Sequence, residues 1–177
     1  MYQILKQIAL TGIKTEAPAP VDEALRTTRE RLQGDILRYF AGALTIRHVD
    51  AGSCNGCELE INALGNPYYN LEGLGIKFVA SPRHADMLLV TGPVSRNMEV
   101  ALKRTYDATP EPKLVVALGD CGCTGGIFGE SYASCGRVSN VIPVDVAVPG
   151  CPPTPVAIMQ GILTAIGNTL PGAIEKK

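Results

Sequence analysis

The chain reads as an open, doubly wound α/β domain, a mostly parallel sheet covered by helices on both faces. Three observations predict it. From Leu44 onward, short runs rich in Val, Ile and Leu alternate with helical segments; nearly continuous apolar runs suit strands buried on both faces, and the alternation argues for this architecture. At 177 residues, with 46% apolar and 19% charged side chains, the chain is long enough to bury one core without disulfide or zinc staples. Finally, cysteine-bearing segments follow three of the expected strands, at the strand ends where ligand sites of open α/β sheets gather.

The elements follow in order. Met1 to Ile13 carries apolar positions at Ile4, Leu5, Ile8 and Leu10, interrupted by Lys6 and Gln7; it reads as a short amphipathic docking piece or a frayed terminus. Ala17-Pro18-Ala19-Pro20 is a linker, because successive prolines fix φ and disfavour helix before them. Asp22 then caps a helix with Leu25, Leu32, Ile36 and Phe40 on one face and Arg26, Arg29, Glu30 and Arg38 elsewhere. The pattern leaves open whether that stripe meets core or partner, and the helix at Asp22 to Phe40 is read as detachable. Strands are expected at Leu44 to Val49, Ile76 to Ala80, Met87 to Thr91, Leu114 to Leu118 and Val144 to Val148, with helices at Glu58 to Leu64, Asn97 to Tyr106 and Pro155 to Ile166. The last has Thr154 as N-cap, Pro155 at its first position and Met159, Ile162, Leu163 and Ile166 at helical spacing. The expected organisation is a docking segment and linker over 1–20, the amphipathic helix over 21–43, the α/β domain over 44–170 and a tail over 171–177.

Composition excludes several function classes. A formal net charge of −1 without a local Lys/Arg cluster leaves no electrostatic footprint for nucleic acid. No stretch approaches the run of about 20 apolar residues that a membrane span needs, and neither a signal-peptide core nor a twin-arginine pair is present. A cytoplasmic setting is expected, with the six cysteines as reduced thiols or metal ligands.

The cysteines carry the chemistry. Cys54-Asn55-Gly56-Cys57 follows the first strand, Cys121 in Gly119-Asp120-Cys121 the fourth, and Cys151 in Gly150-Cys151-Pro152-Pro153 the fifth. One sheet edge can gather all three loops, and glycines beside each cysteine let backbone approach a bulky inorganic core. Four thiolates suit a 4Fe-4S cluster; a structural zinc site is the leading alternative, although zinc sites usually show two compact pairs and Cys121 and Cys123 are too close for that arrangement. Cys54-x-x-Cys57 between strand and helix also has the form of a thioredoxin-type redox pair, which leaves Cys121 and Cys151 unexplained. Cys123 and Cys135 are read as small buried apolar residues, Cys123 being the one substitute for Cys121. His48 and His84 lack metal-ligand spacing and are read as structural. Gly119 to Gly126 has no Lys-Ser/Thr and no GxGxxG, so a phosphate loop is not expected there. Glu58 and Glu60 are placed to help relay protons or, more simply, to complement a helix N-terminus.

At Gly52-Ser53-Cys54-Asn55-Gly56-Cys57-Glu58, Thr91-Gly92-Pro93-Val94, Ala117-Leu118-Gly119-Asp120-Cys121 and Pro143 to Pro153, the chain resembles the small subunit of membrane-bound, energy-converting nickel-iron hydrogenases of the formate hydrogenlyase type. These are similar in turn to the quinone-proximal cluster subunit of respiratory complex I. The resemblance covers about Leu44 to Ile166 and implies a flavodoxin-like fold carrying one 4Fe-4S cluster on Cys54, Cys57, Cys121 and Cys151. It implies an electron-transfer subunit without the catalytic centre, working with a nickel-iron large subunit, a ferredoxin-like two-cluster subunit and membrane antiporter-like subunits, peripherally on the cytoplasmic side of the membrane. The complex I subunit typically has adjacent cysteines at the first motif, whereas Asn55 and Gly56 separate them here, which favours the hydrogenase branch. A complex I-like role, with quinone or another acceptor, is the alternative.

Overall fold

The computed structural model describes residues 2–12, 22–40 and 43–169. Five strands, β1 (Leu44–Asp50), β2 (Ile76–Phe78), β3 (Met87–Thr91), β4 (Leu114–Leu118) and β5 (Val146–Val148), form one all-parallel sheet in the order β2-β1-β3-β4-β5. This is the flavodoxin-like doubly wound order, with its reversal between β1 and β3. The helices are α1 (Tyr2–Thr11), α2 (Glu23–Phe40), α3 (Gly56–Ala63), α4 (Arg96–Ala108), α5 (Gly119–Thr124) and α6 (Pro155–Thr169). Every residue of β3 and β4 is buried, as apolar runs covered on both faces require. One core layer joins Leu44, Ile46, Leu89 and Val116 to α2, α3 and α6; the other joins Val49, Val90 and Ala117 to Leu102 of α4 and to Val138 and Ile142.

Two strands are shorter than expected. After Phe78 only the Val79 N–H, donating to Ile46 O at 2.9 Å, extends the pairing, and the chain then enters a 3-10 turn at Pro82, whose ring removes a donor. At the start of β5, Asp145 takes over the ladder: its N–H donates to Val115 O at 2.9 Å and its Oδ2 accepts the Val115 N–H at 2.7 Å. α6 begins as its sequence dictates, with Thr154 Oγ1 accepting the Ala157 N–H and Thr154 O accepting that of Ile158. Its Met159, Ile162 and Ile166 are fully buried, while Leu163 packs at the core's margin.

α2 is not a detached helix. Asp22 Oδ1 accepts the Ala24 N–H at 3.0 Å, and Leu25 and Leu32 are buried against the domain's own core, chiefly on α6. Each burial contributes about 1.5–3 kcal/mol. The side chains of Ile36 and Phe40, and the linker at Ala17–Pro20, lie outside the described residues. α1 buries no residue: Tyr2, Ile4, Leu5, Ile8 and Leu10 are all exposed.

Candidate iron–sulfur site

The first cysteine pair is set by the turn that ends β1. Asp50 Oδ1 accepts the N–H groups of Gly52 and Ser53, both at 2.8 Å, an Asx turn that folds the chain back over the sheet end. Asn55 takes a left-handed φ of 71° as the N-cap of α3, so Cys54 sits just before the helix and Cys57 in its first turn. Cys121 lies in α5, the short helix after β4, and Cys151 follows β5 in the loop leading to α6.

These loops converge. Cys54, Cys57, Cys121 and Cys151 line a single cavity of about 120 Å³ at the C-terminal ends of the strands, together with Gly92, Asp120 and Pro152. Two glycines make room for the thiols. Gly119, at φ +82°, would carry a Cβ only 2.7 Å from Cys57 Sγ, and a Cβ on Gly126 would stand 2.9 Å from Cys121 Sγ; neither position tolerates a side chain without moving a sulfur. α5 itself was not foreseen, because its glycines read as a loop. It closes through the Thr124 hydroxyl, which donates to Asp120 O at 2.9 Å, and a left-handed Gly125, whose N–H donates to Cys121 O.

The electrostatics oppose free thiolates. Burial, then Glu58 and the three other cysteines, push the Cys57 thiol up to about 12. Burial, then Cys151, Cys54 and Asp120, raise that of Cys121. Among the described residues, no Lys or Arg lines the cavity. Binding of a cationic centre there displaces the protons that burial holds on Cys57 and Cys121.

Glu58 is placed differently from a solvated helix-start acid. Its side chain is only 12% exposed; Oε2 accepts the Ser53 hydroxyl at 2.6 Å and Oε1 accepts the Thr91 hydroxyl. His48 Nε2 lies 3.1 Å from Thr91 Oγ1 and 3.4 Å from Glu58 Oε1, and burial holds its pKa below the ordinary value despite the neighbouring carboxylate. His48 is thus joined through Thr91 and Glu58 to the cysteine-bearing loops. Glu60, two residues on, does not line the cysteine cavity. His84 sits in the 3-10 turn before β3, where its carbonyl accepts the Thr45 hydroxyl.

The surplus cysteines stand apart from the cavity. Cys135 is buried under α4, with Sγ 3.4 Å from Glu99 Oε2. Cys123 is half-buried, donates to Ala117 O at 3.6 Å, and is pushed up to about 11 by burial and then Asp120. Sequence reasoning missed the supporting groups Asp50, Ser53, Thr91 and Asp120. Asp and Ser beside Gly at a strand end announce a turn, but their link to Glu58 or to another loop is tertiary.

Similarity to known proteins extends over most of the chain. The family model described as NADH ubiquinone oxidoreductase, 20 Kd subunit, matches residues 54–165, so its match begins at Cys54. Formate hydrogenlyase subunit 7 of Escherichia coli (strain K12) is 42% identical over 150 residues, 85% of this chain and 57% of that protein; the chain thus spans little more than half of that relative's length. A probable membrane-bound hydrogenase subunit of Pyrococcus furiosus is 45% identical over 141 residues, 78% of this chain and 84% of that protein. An NADH-quinone oxidoreductase subunit of Desulfovibrio desulfuricans is 48% identical over 107 residues, 60% of this chain and 58% of that protein. Among solved structures, a chain of the membrane-bound sulfane sulfur reductase, an archaeal respiratory membrane complex, superposes with a TM-score of 0.62 at 33% identity, covering 84% of this chain and 78% of that one. These relatives are named as subunits of oxidoreductase complexes, and the chain belongs to the family of the NADH ubiquinone oxidoreductase 20 Kd subunit.

Proposed function

We propose that Cys54, Cys57, Cys121 and Cys151 hold one 4Fe-4S cluster, through which the chain relays electrons from a ferredoxin-like two-cluster subunit to the nickel-iron site of a hydrogenase large subunit. Proton reduction there is coupled to ion translocation by membrane antiporter-like subunits, and the chain is peripheral, on the cytoplasmic side. Among the described residues no helix is long and apolar enough to cross a membrane. The observation that carries the reading is the convergence of these four thiols, from three separate loops, on one cavity.

The donor set fits the group. The four thiols line a space of about 120 Å³, and four cysteine thiolates are the usual ligand set of a 4Fe-4S cluster. Bound there, the cluster supplies one-electron transfer. The chain's own residues hold it: Gly119 and Gly126 admit the sulfurs, and the carboxylates of Glu58 and Asp120 set a negative surrounding that disfavours an added electron. Cys54 and Cys151 are exposed. Ile127 and Phe128, next to Gly126, and Leu59, two residues past Cys57, leave apolar surface open to solvent, a surface suited to the large subunit.

A second reading keeps the cluster and changes the acceptor to quinone or another oxidant. The similarity to the sulfane sulfur reductase chain and to the NADH-quinone oxidoreductase subunit favours it; the separated cysteines of Cys54-Asn55-Gly56-Cys57 favour the hydrogenase. Metal analysis with electron paramagnetic resonance on the anaerobically isolated native complex decides. About four irons assignable to this chain, with nickel in the large subunit, support the hydrogenase relay. Iron without nickel moves the function to the second reading, and zinc in a colourless protein ends both.

A further inference from the structure

Pairing of β4 with β5 ends at Leu118 and Val148. Beyond that point the two chains continue into Cys121 and Cys151, and the residues immediately before these cysteines are bonded to each other twice. The Asp120 N–H donates to Gly150 O at 2.8 Å, and the Gly150 N–H donates to Asp120 Oδ1 at 2.7 Å. Gly150 is bound to this arrangement by its own backbone: φ is +136°, and a Cβ would stand 2.6 Å from Pro153 Cα. Pro152 and Pro153 lack N–H groups, so the loop has few other donors with which to be tethered. Asp120 itself lines the cysteine cavity.

We propose that Asp120 is a positioning residue that sets the separation and orientation of the Cys121 and Cys151 thiols by gripping Gly150. The proposal rests on the reading of the four cysteines as cluster ligands. A lone backbone bond between the loops acts as a hinge; the carboxylate adds a second attachment on the same residue and removes that freedom. The grip needs an acceptor at Oδ1, not a charge, so an amide at this position preserves it and a methyl group does not. The charge acts separately, by disfavouring reduction of the group held beside it.

The test compares wild type, Asp120→Asn and Asp120→Ala in the native complex, reading iron loss under a chelator, the paramagnetic resonance line shape of the reduced cluster, and its midpoint potential. Asp120→Asn should keep the wild-type line shape and iron retention while the potential rises. Asp120→Ala should raise the potential as well, alter the line shape and lose iron about 10-fold faster or more. Wild-type line shape and iron loss in Asp120→Ala would overturn the proposal. If Asp120→Ala does not assemble, Asp120→Asn decides alone, since a changed line shape there assigns the geometry to the charge and not to the grip. Absence of any cluster signal in wild type strikes the ligand reading itself, a result distinct from the others.

Discussion

His48 shows how one residue's surroundings become a measurable property. Burial lowers its pKa from an ordinary value near 6.5; Glu58 and Asp50 oppose that shift, and Arg47 adds to it. The folded protein therefore binds this proton less readily than the unfolded chain. Stability linked to His48 is fully present above pH 6.5 and is lost as pH falls through the depressed folded value. His48→Gln should flatten the acid side of a thermal unfolding series between about pH 7.5 and 5, while wild type declines more steeply; equal slopes would remove His48 from the account. The cysteines divide equally sharply. Cys151→Ser should abolish the cluster signal, and Cys135→Ser, whose sulfur packs under α4 beside Glu99, should leave iron content unchanged. Loss of iron in Cys135→Ser would mean that the ligand assignment is wrong.

Among the elements, α2 changed most between sequence and structure. Its stripe was legible from the spacing of Leu25 and Leu32, because helical periodicity is local; what covers the stripe was not, since α6 lies more than a hundred residues away. With Leu32 fully buried, Leu32→Ala should cost about 2–5 kcal/mol of folding stability, read by urea denaturation of the domain. A cost near zero would restore the detachable helix. α5 was hidden for a different reason. Glycine is about 1 kcal/mol less favourable than alanine in a helix, and Gly119 and Gly122 argue locally against one; the helix exists because the sheet end and the capping bonds of Thr124 and Gly125 hold it.

For the whole molecule, the testable division lies between the α/β domain and the N-terminal segment. The exposed apolar positions of α1 suit a docking role, and among the described residues the cysteine cavity is lined wholly by residues after Gly52. Deleting Met1 to Pro20 should leave the cluster spectrum intact and weaken recovery of the assembled complex. Loss of the cluster on truncation would contradict that separation.

The sequence by itself determined the class of fold and singled out Cys54, Cys57, Cys121 and Cys151 as candidate ligands. Both are written in short-range signals: apolar runs of strand length, helical spacing, and cysteines placed at strand ends beside glycines. Tertiary structure alone decided three other matters. It determined that the three cysteine loops meet at one cavity, because convergence depends on the β2-β1-β3-β4-β5 order. It tied Glu58 to His48 and Thr91 instead of leaving it to solvent. And it bonded Asp120 to Gly150, a pairing 30 residues apart that no periodicity encodes, since hydrogen bonds between loops are set by where the sheet delivers their ends.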